Sequence, residues 1–112
     1  IMALGDVTTG EAIFKKCAAC HSIKKEGANK IGPMLYGVVG RKVGHVSDYK
    51  YSKVLASYGK EWTFEELNGF LTKPGSYLKG TKMSYAGLRK EADRASVIKY
   101  LNQNSDNPKP LP

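Results

Sequence analysis

Cys17 and Cys20, the two cysteines of the chain, are separated by Ala18-Ala19 and followed at once by His21. A disulfide this local would close almost no loop and stabilise little, so the spacing points to chemistry rather than to a staple. At a helix end, positions i, i+3 and i+4 share a face, so Cys17, Cys20 and His21 address one flat object together. Cys-x-x-Cys-His is the attachment signature of a c-type haem. Two thioether bonds along one side of the porphyrin make its loss very slow, and His21 is pre-positioned to meet the iron. Two plainer readings compete. A thioredoxin-like dithiol requires a strand before it and a βαβ pattern around it, and the sequence offers neither. A zinc site requires about four ligands, and beyond this trio only His45 and carboxylates remain.

A chain of 112 residues has room for one domain, and a bound macrocycle would be a large share of its core. Asp6 is placed to cap a helix whose residues Val7, Gly10, Phe14 and Cys17 fall on one face. From Ser22 to about Asp48 no helical period persists, and Gly27, Gly32-Pro33, Gly37, Gly40 and Gly44 punctuate an irregular segment. Long loops of this kind are functional or pack against a ligand. A short helix is expected over Tyr51 to Tyr58. Another is expected at Thr63 to Thr72, opened by the capping box Thr63-Phe64-Glu65-Glu66 and closed by Pro74. A second glycine-bearing loop runs from Pro74 to Gly87, and a last helix from about Lys90 to Gln103 presents Val97, Ile98, Tyr100 and Leu101 to the first. The expected fold is all-α, with no strand. Residues 6–104 read as the domain, 1–5 as an N-terminal extension or remnant, and 105–112 as a Pro-rich surface tail. No apolar run approaches the roughly 20 residues needed to span a bilayer, so the chain is expected to be soluble and not membrane-spanning.

An iron with an open position binds small molecules, whereas one with two strong-field axial ligands transfers electrons, so the sixth ligand decides the function class. The candidates are Met2, Met34, Met83, His45 and several lysines. Met2 is terminal and expected to be loose. Met34 follows His21 closely and reads as a packing residue. Met83 lies far along the chain, in Gly80-Thr81-Lys82-Met83, where the second loop can reach the opposite face of a haem. A thioether there favours ferrous iron and raises the potential, as an electron carrier requires.

Order and spacing of further residues carry a resemblance. They are Gly5-Asp6-Val7 with Gly10 and Phe14, Cys17 to His21, Gly32-Pro33, Gly40-Arg41-Lys42, Tyr49, Tyr51, Trp62, Pro74, Gly80 to Met83, Gly87, Arg94 and Tyr100-Leu101. With these the chain resembles the class I c-type cytochromes, the mitochondrial cytochrome c family and its alphaproteobacterial soluble relatives. The resemblance implies the cytochrome c fold, in which the terminal helices cross and long loops wrap one covalently bound haem c. It implies no catalytic residues, since the family carries electrons and is not enzymatic. Under it, His21 and Met83 are the axial ligands and the Pro33 carbonyl orients the His21 ring. Arg41, Tyr51 and Trp62 surround one haem propionate, and Thr81 binds the other. Phe70, Leu55 and Tyr85 depart from the family pattern, and the first two remove polar groups on the methionine side.

The net charge of +8 favours acidic partners by raising association rates. The lysines are dispersed and no nucleic-acid motif is present, so nucleic acid is not expected as a partner. The resemblance places Lys16, Lys30, Lys82, Arg89 and Lys90 around the exposed haem edge as a docking ring, which Lys15 and Lys79 extend. It implies a monomer docking on acidic-surfaced redox proteins: a dehydrogenase or cytochrome bc complex as donor, and an oxidase, reductase or photosynthetic centre as acceptor. The compartment implied is the bacterial periplasm, with the mitochondrial intermembrane space as the alternative. An open-site haem enzyme or gas sensor is the competing function if Met83 is not a ligand.

Overall fold

The structure, a computed structural model, describes residues 5–18, 21–23, 34–42, 51, 58–77, 87–106 and 108–110, with the backbone alone at 16, 75 and 76. Its first helix, α1, spans Val7–Cys17. Asp6 stands before it in extended backbone, and its Oδ2 accepts from the Thr9 amide at 3.2 Å and the Thr9 hydroxyl at 2.8 Å. That satisfies one of the donors a helix start leaves open.

Among the described residues, three further helical elements follow: α2 at Phe64–Thr72, α3 at Pro74–Tyr77 and α4 at Glu91–Gln103. The terminal helices α1 and α4 pack on each other, as expected. A Cβ added at Gly10 would run into the Ser96 carbonyl and stand 3.0 Å from the Tyr100 Cβ, so the backbones approach as closely as they do only because Gly10 has no side chain. One turn on, the Phe14 and Tyr100 rings meet at 5.5 Å and 47°. Ser96, buried at the crossing, accepts from the Asp6 amide at 3.0 Å and donates to the Ala92 carbonyl at 2.7 Å. Ala95, Val97, Ile98 and Leu101 are buried along the same helix and carry it into the core with Phe14.

Arg94 is also buried. Its Nε donates to Asn68 Oδ1 at 2.7 Å, and one terminal nitrogen donates to the Leu88 and Arg89 carbonyls at 2.9 and 2.8 Å. The guanidinium thus clamps α4 to α2 and to the segment that leads into α4. Among the described residues the only β feature is an isolated antiparallel bridge between Lys42 and Glu61. The helix expected at Tyr51 to Tyr58 falls largely outside the described residues, and none of the described helices is long and apolar enough to cross a membrane.

Thr63 caps α2 by accepting from the Glu66 amide at 3.1 Å, but Glu66 does not complete the box. The Thr63 amide is taken by the Glu61 carbonyl, and the Glu66 carboxylate accepts instead from the hydroxyls of Tyr58 at 2.8 Å and Tyr77 at 2.9 Å, with Lys60 at 3.8 Å. Pro74 ends α2 and opens α3, whose Tyr77 ring lies against Gly69 of α2. Burial works to raise the Glu66 pKa, but the two hydroxyls and the Lys60 charge outweigh it and hold the carboxylate below its ordinary 4.5.

Two outcomes are expected. On an open helix face, Gly10→Ala would gain about 1 kcal/mol; at this crossing the clash dominates, and a net loss of about 1–3 kcal/mol is expected in urea denaturation. A group with a depressed folded pKa stabilises fully above its unfolded value and loses that contribution as pH falls through the folded one. Glu66→Gln therefore destabilises at neutral pH, and denaturation curves should show its deficit shrinking as the pH is taken below 4.5.

Candidate haem site

Cys17 is the last residue of α1, half-buried and packed against the core beside Ile13 and Phe14. The helical hydrogen bonding continues past it: the His21 amide donates to the Cys17 carbonyl at 2.9 Å. His21, half-buried, therefore follows Cys17 by one helical turn. The Leu35 amide donates to the Ser22 carbonyl at 2.7 Å, which joins the segment beginning at Met34 to the residue after His21. Cys20, Pro33, Thr81 and Met83 lie outside the described residues, as do Met2, His45, Leu55 and Tyr85.

Arg41 and Trp62, distant in sequence, are adjacent in space. The Gly40 amide donates to the Trp62 carbonyl at 2.7 Å, and the Trp62 amide returns a bond to the Arg41 carbonyl at 2.8 Å. Gly40 adopts a φ of 85°, which a side chain would strain. Trp62 is 8% exposed, and its ring meets that of Phe70, 6% exposed, at 5.1 Å and 58°. Tyr51 is half-buried and near enough to Arg41 to act on its charge.

Arg41 is the electrostatic anomaly. One terminal nitrogen donates to the Tyr36 carbonyl at 3.4 Å and approaches Met34 Sδ at 3.6 Å, while the buried Nε has no acceptor among the described residues. Burial pulls its pKa below the ordinary value, with Tyr51 acting in the opposite direction. A desolvated guanidinium with an unclaimed donor calls for an anion. Met34, expected only to pack, is one of its contacts. Of the expected docking residues, Arg89 and Lys90 are exposed just before α4. The Lys16 side chain, Lys30 and Lys82 lie outside the described residues.

Two contributions were missed by sequence reasoning. Nothing in the local pattern set the Glu66 carboxylate between Tyr58 and Tyr77. Nor did any signal mark Asn102, which is buried at the end of α4 and hydrogen-bonded to Lys109.

A helix that ends on a cysteine and places a histidine one turn later, crossed by the last helix of an all-α chain, is the framework of a class I c-type haem domain. The cytochrome c family model matches residues 7–105. A cytochrome c homolog of Bradyrhizobium diazoefficiens is 43% identical over the whole chain, and one of Rickettsia bellii is 48% identical over 90% of it. The chain spans 61% and 58% of those two proteins. A cytochrome c of Gibberella zeae is 44% identical over 93% of the chain and 99% of its own length. The chain belongs to the cytochrome c family, electron-transfer proteins rather than enzymes, which bind haem c covalently, typically one per chain.

Proposed function

We propose that the chain carries single electrons between a donor, a dehydrogenase or cytochrome bc complex, and an acceptor, an oxidase, reductase or photosynthetic centre, in the bacterial periplasm. The observation that carries this reading is the half-buried Arg41, whose buried Nε has no acceptor among the described residues and whose desolvated charge fits a carboxylate such as a haem propionate. It stands in the same domain as a helix end that sets Cys17 and His21 one turn apart.

Haem c, when bound, supplies the one-electron Fe(II)/Fe(III) couple. Cys17 and Cys20 would hold it as thioethers. His21 would offer a ring nitrogen to the iron, and the Pro33 carbonyl would accept from its other ring nitrogen, fixing the orientation. Met83 would offer its thioether to the iron and exclude small ligands. Arg41, Tyr51 and Trp62 would donate to one propionate and Thr81 to the other, offsetting the cost of burying a carboxylate. Residues 6–104 form the unit that does this. Lys16, Lys30, Lys82, Arg89 and Lys90 steer acidic partners to the haem edge, where exposed charge adds more to encounter rate than to affinity.

The ferrous protein is expected to bind carbon monoxide slowly or not at all, and Met83→Ala to bind it rapidly and lose the weak long-wavelength ferric band of methionine ligation. Rapid binding by the unaltered protein would favour an open-site enzyme or sensor. With an acidic redox partner, stopped-flow rates should fall steeply as salt is raised through 0.1 M, where screening acts over about 10 Å. Lys90→Glu should slow the low-salt rate, and a rate indifferent to salt would remove the docking ring.

A further inference from the structure

Beyond α4, Lys109 is held against the helix end. Asn102, 6% exposed, turns its side-chain amide on the backbone of Lys109: Nδ2 donates to the Lys109 carbonyl at 3.0 Å, and Oδ1 accepts from the Lys109 amide at 2.9 Å. Lys109 stands between Pro108 and Pro110. Prolines have no N–H, so this bond takes the one amide proton those three residues possess. The prolines also restrict the free chain, which lowers the entropy lost when the segment docks.

The segment so held lies over the turn that carries Arg41. The Gly37 amide donates to the Asn104 carbonyl at 2.8 Å, and the Tyr36 hydroxyl donates to Asp106 Oδ1 at 3.1 Å. The Lys109 side chain lies against Gly40, where even a Cβ would collide with its Cε. Tyr36 also supplies the carbonyl to which Arg41 donates. Contacts from 104, 106 and 109 therefore reach the turn at 36, 37 and 40, on both sides of the link to the guanidinium.

We infer that Asn104, Asp106 and Lys109 act as a strap, fastened by Asn102, that holds the Tyr36–Lys42 turn and keeps the Arg41 guanidinium in place, making Asn102 a positioning residue for the cation that faces the haem. The haem-facing role of Arg41 rests on the function proposed above; the strap itself does not. A fixed cation beside the haem stabilises the less positive ferrous state, so loosening it lowers the midpoint potential.

The test uses the haem-loaded protein with Arg41→Gln, Asn102→Leu, the double variant, and a chain lacking residues 108–112. Asn102→Leu keeps the branched shape of the side chain but removes both bonds. It is expected to speed hydrogen exchange at the Gly37 and Arg41 amides by about tenfold and to lower the midpoint potential. Removal of 108–112 should do the same without disturbing a buried position, which covers the case of a misfolded Asn102 variant. In the Arg41→Gln background, Asn102→Leu should lower the potential no further, because coupled sites are not additive. Unchanged exchange in both strap variants overturns the strap. A potential drop that persists undiminished in the double variant overturns its action through Arg41. If Arg41→Gln alone leaves the potential unchanged, the haem-facing role of Arg41 fails, and the exchange data decide the strap separately.

Discussion

Everything near the site depends on the contact between Gly10 and the backbone of Ser96. Two helices from opposite ends of the chain touch there with no side chain between them, so neither can slide or rotate without collision. Fixing α1 against α4 fixes where α1 ends, and it ends on Cys17. The Asp6 cap sets the start of the helix, and Ser96 ties that start to α4 by accepting from the Asp6 amide. Cys17 is thus positioned by backbone packing one and two turns away as well as by its own packing against the core.

The second fixed point is the exchange of backbone hydrogen bonds between Gly40-Arg41 and Trp62. It is a fragment of sheet in a helical domain, and it brings a cation and an indole to one place from segments far apart in sequence. Phe70, from the buried face of α2, packs on the indole and connects this corner to the core.

Much of this was legible in the residues. The cap at Asp6 and the ends of α1, α2 and α4 follow from local rules, and the packing of α4 on α1 from one periodic face each. What escaped was non-local. Glu66 has the spacing of a capping box, yet two tyrosine hydroxyls outcompete the backbone amide for its carboxylate, and no window of a few residues contains both. Asn102 looks like an ordinary polar residue at a helix end; its value comes from a backbone that returns only after a proline. The prolines that mark the tail as non-helical also leave Lys109 as the one amide there able to bond, so composition identified a tail without showing what it touches. At the site, the cysteine–histidine spacing identified the cofactor class, while the Arg41 environment required the fold to be assembled first.

The arginines show how one side-chain chemistry takes its role from the acceptors around it. Arg94 is buried with acceptors supplied by Asn68, Leu88 and Arg89, so its charge is solvated by the protein and it acts as a clamp. Arg89 is exposed, where water screens its charge and leaves it useful for long-range attraction. Arg41 is the intermediate case: a terminal nitrogen is engaged, yet Nε is buried without an acceptor among the described residues and the charge is desolvated. Burial of that kind costs free energy unless an anion shares the site. The unclaimed donor is therefore the observation that supports the proposal of an acidic group beside Arg41.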